Sequence, residues 1–227
     1  MNAERTPGIV LRVRPLTETS LIVHWLTEHH GRLATVARGA RRPKSPFRGK
    51  LDLYYEADLS LQRSRRSDLH TLREAVVRDL HPALRTDLAR LRAAAYVTQL
   101  LERTTEPEAP VPELYALLRE FLRAAAAPVV PLTLAFELKL LAALGLQPDL
   151  ARSRLGPAAQ TAARTLAAVP LATVESARLE PGPAHELTRL LRDCLTNELG
   201  RLPRGRFDMV GGPEGFVEHV SDSPPRP

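Results

Sequence analysis

RLATVARGARRPKSPFRGK, residues 32–50, changes character half-way along. In its first half Leu33, Thr35 and Ala37 fall on one side of an extended chain and Ala34 and Val36 on the other, the two-residue period of a strand with one buried face. The stretch as a whole holds seven basic residues, Arg32, Arg38, Arg41, Arg42, Lys44, Arg48 and Lys50, and no acid. Gly39, Pro43, Pro46 and Gly49 forbid regular structure in the second half. The expectation is a strand that runs into an extended basic loop, whose guanidinium groups can follow a phosphate backbone. The bland alternative, a solvated charge run, is disfavoured because acidic counterparts are missing altogether.

Four more strand-like runs flank this one: Gly8–Val13, Ser20–Leu26, Leu51–Gln62 and Leu69–Val77. The third is long enough for a bent barrel strand, with Leu51, Leu53, Tyr55, Ala57, Leu59 and Leu61 on one face. Turn residues separate the runs at Thr17-Glu18-Thr19, at His30-Gly31, from Pro43 to Gly49 and from Arg63 to Asp68. Five short strands with few helical signals predict a small closed barrel of the OB-fold type over residues 1–80. After Leu80 the period changes: Leu84, Leu88, Leu91, Ala95 and Thr98 recur at helical steps. Helical patterns return at 113–126, 132–144 and 184–199, with a shorter one at 157–169, and Gly145 is placed to end the second of these. The fold class expected is α+β: an OB-fold nucleic-acid-binding domain over 1–80, an all-α domain for protein partners over 81–210, and a disordered tail over 211–227, rich in Gly, Pro, Ser and Asp.

Charge is distributed unevenly. Residues 1–80 hold fifteen lysines and arginines against nine acids, so the whole net charge of +6 lies there and the remainder of the chain is balanced. That asymmetry asks for a polyanionic partner. Beside the basic loop stand Arg63, Arg65 and Arg66 at a hairpin tip and Arg12 and Arg14 on the first strand, and these clusters could line one groove. For base stacking Phe47, inside the basic loop, is the first candidate, with Trp25 and Tyr54 behind it. Trp25 is weighted towards the core, and only one of Tyr54 and Tyr55 can face inward on a strand.

Other chemistry finds no support. No Gly-rich phosphate loop, nucleophile elbow or zincin pair occurs, and His24, His29 and His30 lack ligand partners at useful spacing. No catalytic residue, metal ligand or cofactor is expected. The single cysteine, Cys194, excludes an internal disulfide and reads as a buried thiol in the apolar stripe Leu187, Leu190, Leu191, Leu195. No run of about 18 apolar residues suggests a membrane span. The opening Met1-Asn2-Ala3-Glu4-Arg5 lacks the form of a secretory signal, so a cytoplasmic protein is expected.

The N-terminal third resembles the RecO family of bacterial DNA repair proteins. The resemblance is carried by Gly8-Ile9-Val10-Leu11-Arg12, Glu18-Thr19-Ser20-Leu21-Ile22-Val23, Leu26-Thr27-Glu28-His29-His30-Gly31-Arg32-Leu33 and Val36-Ala37-Arg38-Gly39-Ala40-Arg41-Arg42-Pro43-Lys44-Ser45. Leu72-Arg73-Glu74-Ala75 and Phe136-Glu137-Leu138-Lys139-Leu140-Leu141 extend it. It implies a nucleoid-associated, non-enzymatic recombination mediator that binds and anneals single-stranded DNA without ATP. It also implies a partnership with RecR, help in loading RecA, and contact with the C-terminal tail of the single-strand DNA-binding protein. The four-cysteine zinc insertion of many relatives is absent: after Pro148-Asp149 the chain runs Leu150-Ala151-Arg152-Ser153. From the residues alone, an OB-fold RNA-binding module is the alternative, to be told apart by readout of the 2′-OH.

Overall fold

Strand β1, Glu4–Pro15, is long enough to pair on both sides: its second half lies against β2, Leu21–Thr27, and its first half against β4, Glu56–Gln62. Gly8 sits where the two pairings overlap, and a Cβ there would come within 2.9 Å of Leu59 Cδ1 and 3.2 Å of Thr27 Cγ2. With β3, Gly31–Ala37, and β5, Leu69–Asp79, the strands close in the order β1-β2-β3-β5-β4. Every pairing is antiparallel except β3 with β5, the strand order of an OB-fold. This computed structural model describes residues 3–124, 126–176 and 179–206; the tail expected at 211–227 lies outside them.

Alternation puts Val10, Val23, Trp25, Leu33, Ala57, Leu59, Leu61 and Leu72 inside the barrel. Trp25 is fully buried, and its indole N–H donates to Thr35 Oγ1 at 2.9 Å. One expected strand is shorter than its pattern. Leu51–Gln62 becomes regular only from Glu56, because Tyr54 adopts φ +66° and breaks the alternation. Tyr54 thereby turns inward at 5% exposure while Leu53 is left 38% exposed, the reverse of the face the period assigned.

The basic loop also departs from expectation. It is a chain of tight turns rather than an extended track: Arg42 N bonds to Gly39 O, Ser45 N to Arg42 O, Arg48 N to Ser45 O and Lys50 N to Phe47 O. Phe47 packs into the barrel core and folds the loop back on itself.

Among the described residues six α-helices follow: α1 Ala83–Thr86, α2 Leu88–Thr104, α3 Pro112–Arg123, α4 Val129–Ala143, α5 Pro157–Ala168 and α6 Pro181–Leu199. The stripe that began at Leu84 is interrupted by Asp87, whose side chain accepts from Ala89 N and Arg90 N and starts a new helix. Leu88 is therefore a first-turn residue, 61% exposed, and the buried face of α2 runs through Ala93, Ala94, Tyr96, Val97, Leu100 and Leu101. α4 is buried without interruption from Leu132 to Leu138, the central helix of the group. Gly145, at φ +72°, ends it with paired bonds, Gly145 N to Ala142 O and Leu146 N to Leu141 O.

Barrel and helices share one apolar cluster, in which Ile9, Leu11, Leu26 and Tyr54 join the helical core. The connector between α2 and α3 lies against the β2–β3 turn, where Glu108 N donates to Arg32 O at 2.8 Å. Gly31, at φ +64°, makes that approach possible, since a Cβ would stand 2.1 Å from Ala109 O. At the far end Arg206 donates to Glu137 through Nε and Nη2 at 2.8 and 2.9 Å, and Tyr96 OH adds a third bond to the same carboxylate at 2.5 Å. With Arg206 removed, Glu137 would be a buried charge short of its partner, a loss of roughly 3–5 kcal/mol. Urea unfolding of Arg206→Met should show that loss, and Glu137→Leu added to it should restore at least half. Equal stability of wild type and Arg206→Met would contradict the reading.

Candidate nucleic-acid interface

On a strand, residues two apart share a face, so the exposed side of the barrel can be read across its pairings. Arg14 on β1 pairs with Ile22, Ile22 with Val36, and Val36 with Thr71. Their neighbours Val23, Thr35 and Leu72 are buried, so this row is the outer surface. Two residues beyond Val36 comes Arg38, and two beyond Thr71 comes Arg73, both exposed.

Two concave surfaces meet here. One is walled by the β1–β2 turn, with Leu16, Thr17 and Thr19, and by Gly39 and Arg42. The other runs between the β4–β5 hairpin, with Arg63, Arg65 and Arg66, and Arg73 on β5. Val36 and Arg38 belong to both, so they form one groove with Arg38 at its middle. Among the described residues none of Arg14, Arg38, Arg42, Arg65, Arg66 and Arg73 has a carboxylate partner; Arg73 instead bonds to Gln62. Unpaired guanidinium groups around a polar concavity attract an anion and can follow a series of them.

The surrounding contacts hold this shape. Arg41 N donates to Thr19 O at 3.0 Å and its side chain to Thr17 O at 3.3 Å, so Arg41 fastens the basic loop to the β1–β2 turn. His70 Nδ1 accepts from Ser64 N at 3.2 Å; its Nε2 therefore carries the proton and donates to Glu108 at 2.9 Å, fixing the base of the hairpin. His24 lies in the next row, and burial, with the charges of Arg12 and Arg14, holds its pKa below the usual histidine range.

Not every residue expected at the site is in it. Arg12 pairs with Glu102, and Arg32 donates to Thr105 Oγ1 at 2.8 Å; both join barrel to helix. Arg63 lines the groove but is engaged by Glu4, at 2.9 Å, and by Glu108. Its bond to Glu4 depresses that carboxyl's pKa. Lys44, Arg48 and Lys50 sit on the turns beyond Arg42 and do not line the groove, and Arg48 donates to Pro43 O at 3.3 Å. Phe47, the favoured stacking residue, is only 7% exposed and belongs to the core. Arg73 is a groove residue outside the expected set, although its two-residue step from Thr71 places it on this face.

Among the described residues one group could present three ligands to a metal, Glu56, Asp79 and His81. Glu56 is already met by Arg123 at 2.9 Å and Arg119 at 3.6 Å, and Asp79 by Arg123 at 3.3 Å. Two guanidinium groups leave these carboxylates little attraction for a cation, and the cluster acts as a joint between the barrel and α3. Cys194 is half-buried, and burial raises its pKa, away from the range of a reactive thiolate. No described helix is long and apolar enough to cross a membrane.

Comparison with known proteins agrees with this architecture. The family model described as recombination protein O N terminal matches residues 1–81, the barrel, and the one described as recombination protein O C terminal matches residues 85–156. The chain belongs to the RecO family. It is 39% identical over 141 residues to the DNA repair protein RecO of Actinobacillus pleuropneumoniae serotype 7, an overlap of 61% of this chain and 57% of that protein. To the protein of the same name from Bacillus subtilis it is 33% identical over 145 residues, 63% of this chain and 56% of the relative. The RecO of Symbiobacterium thermophilum is 38% identical over 151 residues, 63% and 57% of the two chains. The chain thus spans little more than half the length of the curated relatives it matches.

Phe47→Ala separates the two roles of that ring. As a core residue it should cost roughly 3–5 kcal/mol, seen as a lower urea midpoint, while the folded variant keeps its affinity for an oligonucleotide within about twofold. Unchanged stability with a large loss of affinity would return Phe47 to the interface.

Proposed function

We propose that this chain is a recombination mediator, a binding protein without covalent chemistry of its own, that holds single-stranded DNA on the outer face of its barrel and anneals complementary strands. Membership of the RecO family supports a role in DNA repair and recombination. The observation that carries this is the convergence of Arg38, Arg42, Arg65, Arg66 and Arg73 on one groove, without acidic partners among the described residues. Phosphate repulsion is the barrier to bringing two strands together. A row of fixed cations lowers it by replacing condensed counterions, a gain that needs neither nucleotide nor metal.

The helical part then serves protein partners. RecR is one, through which RecA is loaded onto strands covered by the single-strand DNA-binding protein, and the C-terminal tail of that coating protein is another. These assignments rest on the family, and the groove supplies the step they have in common, a strand held while its covering is exchanged.

Replacing Arg38, Arg42, Arg65 and Arg66 together by alanine should leave the circular dichroism spectrum intact, since none of the four side chains is paired among the described residues. With about five phosphate contacts, log K against log salt should fall with a slope near −3.5 for the wild type and shallower than about −1.5 for the variant. A folded quadruple variant with undiminished affinity and slope would remove this groove from the account. Annealing of complementary oligonucleotides coated with the cognate single-strand binding protein should proceed in EDTA without nucleotide. A requirement for either would contradict the mechanism.

A further inference from the structure

An OB-fold that grips single strands commonly does so by stacking bases on aromatic rings of this face, each stacked base contributing about tenfold or more to affinity. Here the aromatic residues of the barrel are turned the other way. Trp25 is fully buried and tied to Thr35 by its N–H, Phe47 packs beneath the basic loop, and Tyr54 points inward from a left-handed backbone. Tyr55 is half-buried, with the guanidinium of Arg85 5.2 Å over its ring, and it does not line the groove. Tyr96, Tyr115, Phe121 and Phe136 lie in the helical core. Among the described residues, therefore, no aromatic ring faces the groove.

What does face it is of two kinds. The floor is Val36, with Ile22 and Thr71 beside it in the cross-strand row, branched side chains that offer a low surface and no flat face. The rim is guanidinium, hydroxyl and amide: Arg38, Arg42, Arg65 and Arg66, with Thr17, Ser64 and Gln62, whose Oε1 accepts from Arg73. The guanidinium and hydroxyl groups are donors or can act as donors, which suits phosphodiester oxygens, and the amide carbonyl of Gln62 is already engaged by Arg73 rather than held out to read a base edge.

From this we infer that the groove is blind to bases: it binds the sugar–phosphate chain and leaves the bases pointing out, unstacked by protein. The inference rests on the DNA-binding reading above and specifies its ligand as a polyphosphodiester whatever its bases, an abasic chain included. It also accounts for annealing in one step, because a strand presented with its bases outward is ready to pair and nothing has to be unstacked first.

Two measurements on the full chain test it. Affinity is compared for oligodeoxythymidylate, a mixed-sequence strand and an abasic tetrahydrofuran strand of equal length at one salt concentration. The three should agree within about threefold, with equal salt slopes. Permanganate oxidation of the thymines in the bound oligothymidylate should proceed as fast as in the free strand. Loss of tenfold or more on the abasic strand, or protection of the thymines, would overturn the inference while leaving DNA binding in place. Failure to bind any of the three would instead overturn the DNA-binding reading itself. Should bases be protected, Phe207→Ala and Phe216→Ala, which change the aromatics outside the described residues, would show whether either supplies the stacking, and a loss of protection there would equally refute base blindness.

Discussion

Closing a five-strand sheet into a barrel forces β3 against β5, and the pairing this creates runs over only three positions, Ala34 with Leu69, Thr35 with His70 and Val36 with Thr71. Sequence neighbours do not make it: it joins a strand after the first hairpin to a strand beyond the long basic loop. Yet it places the end of β3, with Arg38, beside Arg73 and under the β4–β5 hairpin with Arg65 and Arg66. Without that contact the basic residues would form two separate clusters on different loops. With it they border one groove.

Arginines near the joint with the helices are consumed by it: Arg12 by Glu102, Arg32 by Thr105, and Arg63 by Glu4 and Glu108. Partly exposed pairs of this kind contribute little individually. Together with the shared apolar cluster they fix how the helices lie on the barrel. Glu102 and Glu108 thus meet arginines on one side of the barrel, and those around the groove have no carboxylate partner among the described residues. Charge on the free side is what gives the groove its potential, and neutralisation on the packed side keeps the two parts joined.

Much of the fold was legible because it depends on period. The five strands, four of the helices and the ending at Gly145 follow from spacing of apolar residues and from one glycine. What was not legible depends on single residues that interrupt a period. Tyr54 takes a left-handed conformation that L side chains rarely adopt, so the strand begins at Glu56. Asp87 caps a helix in the middle of an apolar stripe and moves the buried face. The basic clusters could be read from composition, and their meeting at Arg38 is a consequence of topology. Which arginines are engaged could not be read, since Arg12 finds Glu102 ninety residues away. Phe47 stands among arginines, the setting of a base-stacking ring, yet its apolar area is buried in the barrel core. Arg73 lies on the strand behind the hairpin tip, and only the β3–β5 pairing brings it beside Arg38.

A footprint of the arginines tests whether the free guanidinium groups act as one track. Phenylglyoxal modification, read residue by residue by peptide mass mapping with and without a saturating single-stranded oligonucleotide, reports which side chains the strand covers. Arg38, Arg42, Arg65, Arg66 and Arg73 should be protected together and released together as salt is raised, while Arg152, whose side chain is 90% exposed on the helical part, reacts equally in both states. Protection of Arg152 and its neighbours with the barrel arginines left reactive, or protection of only one of the two barrel clusters, would contradict a single groove centred on Arg38.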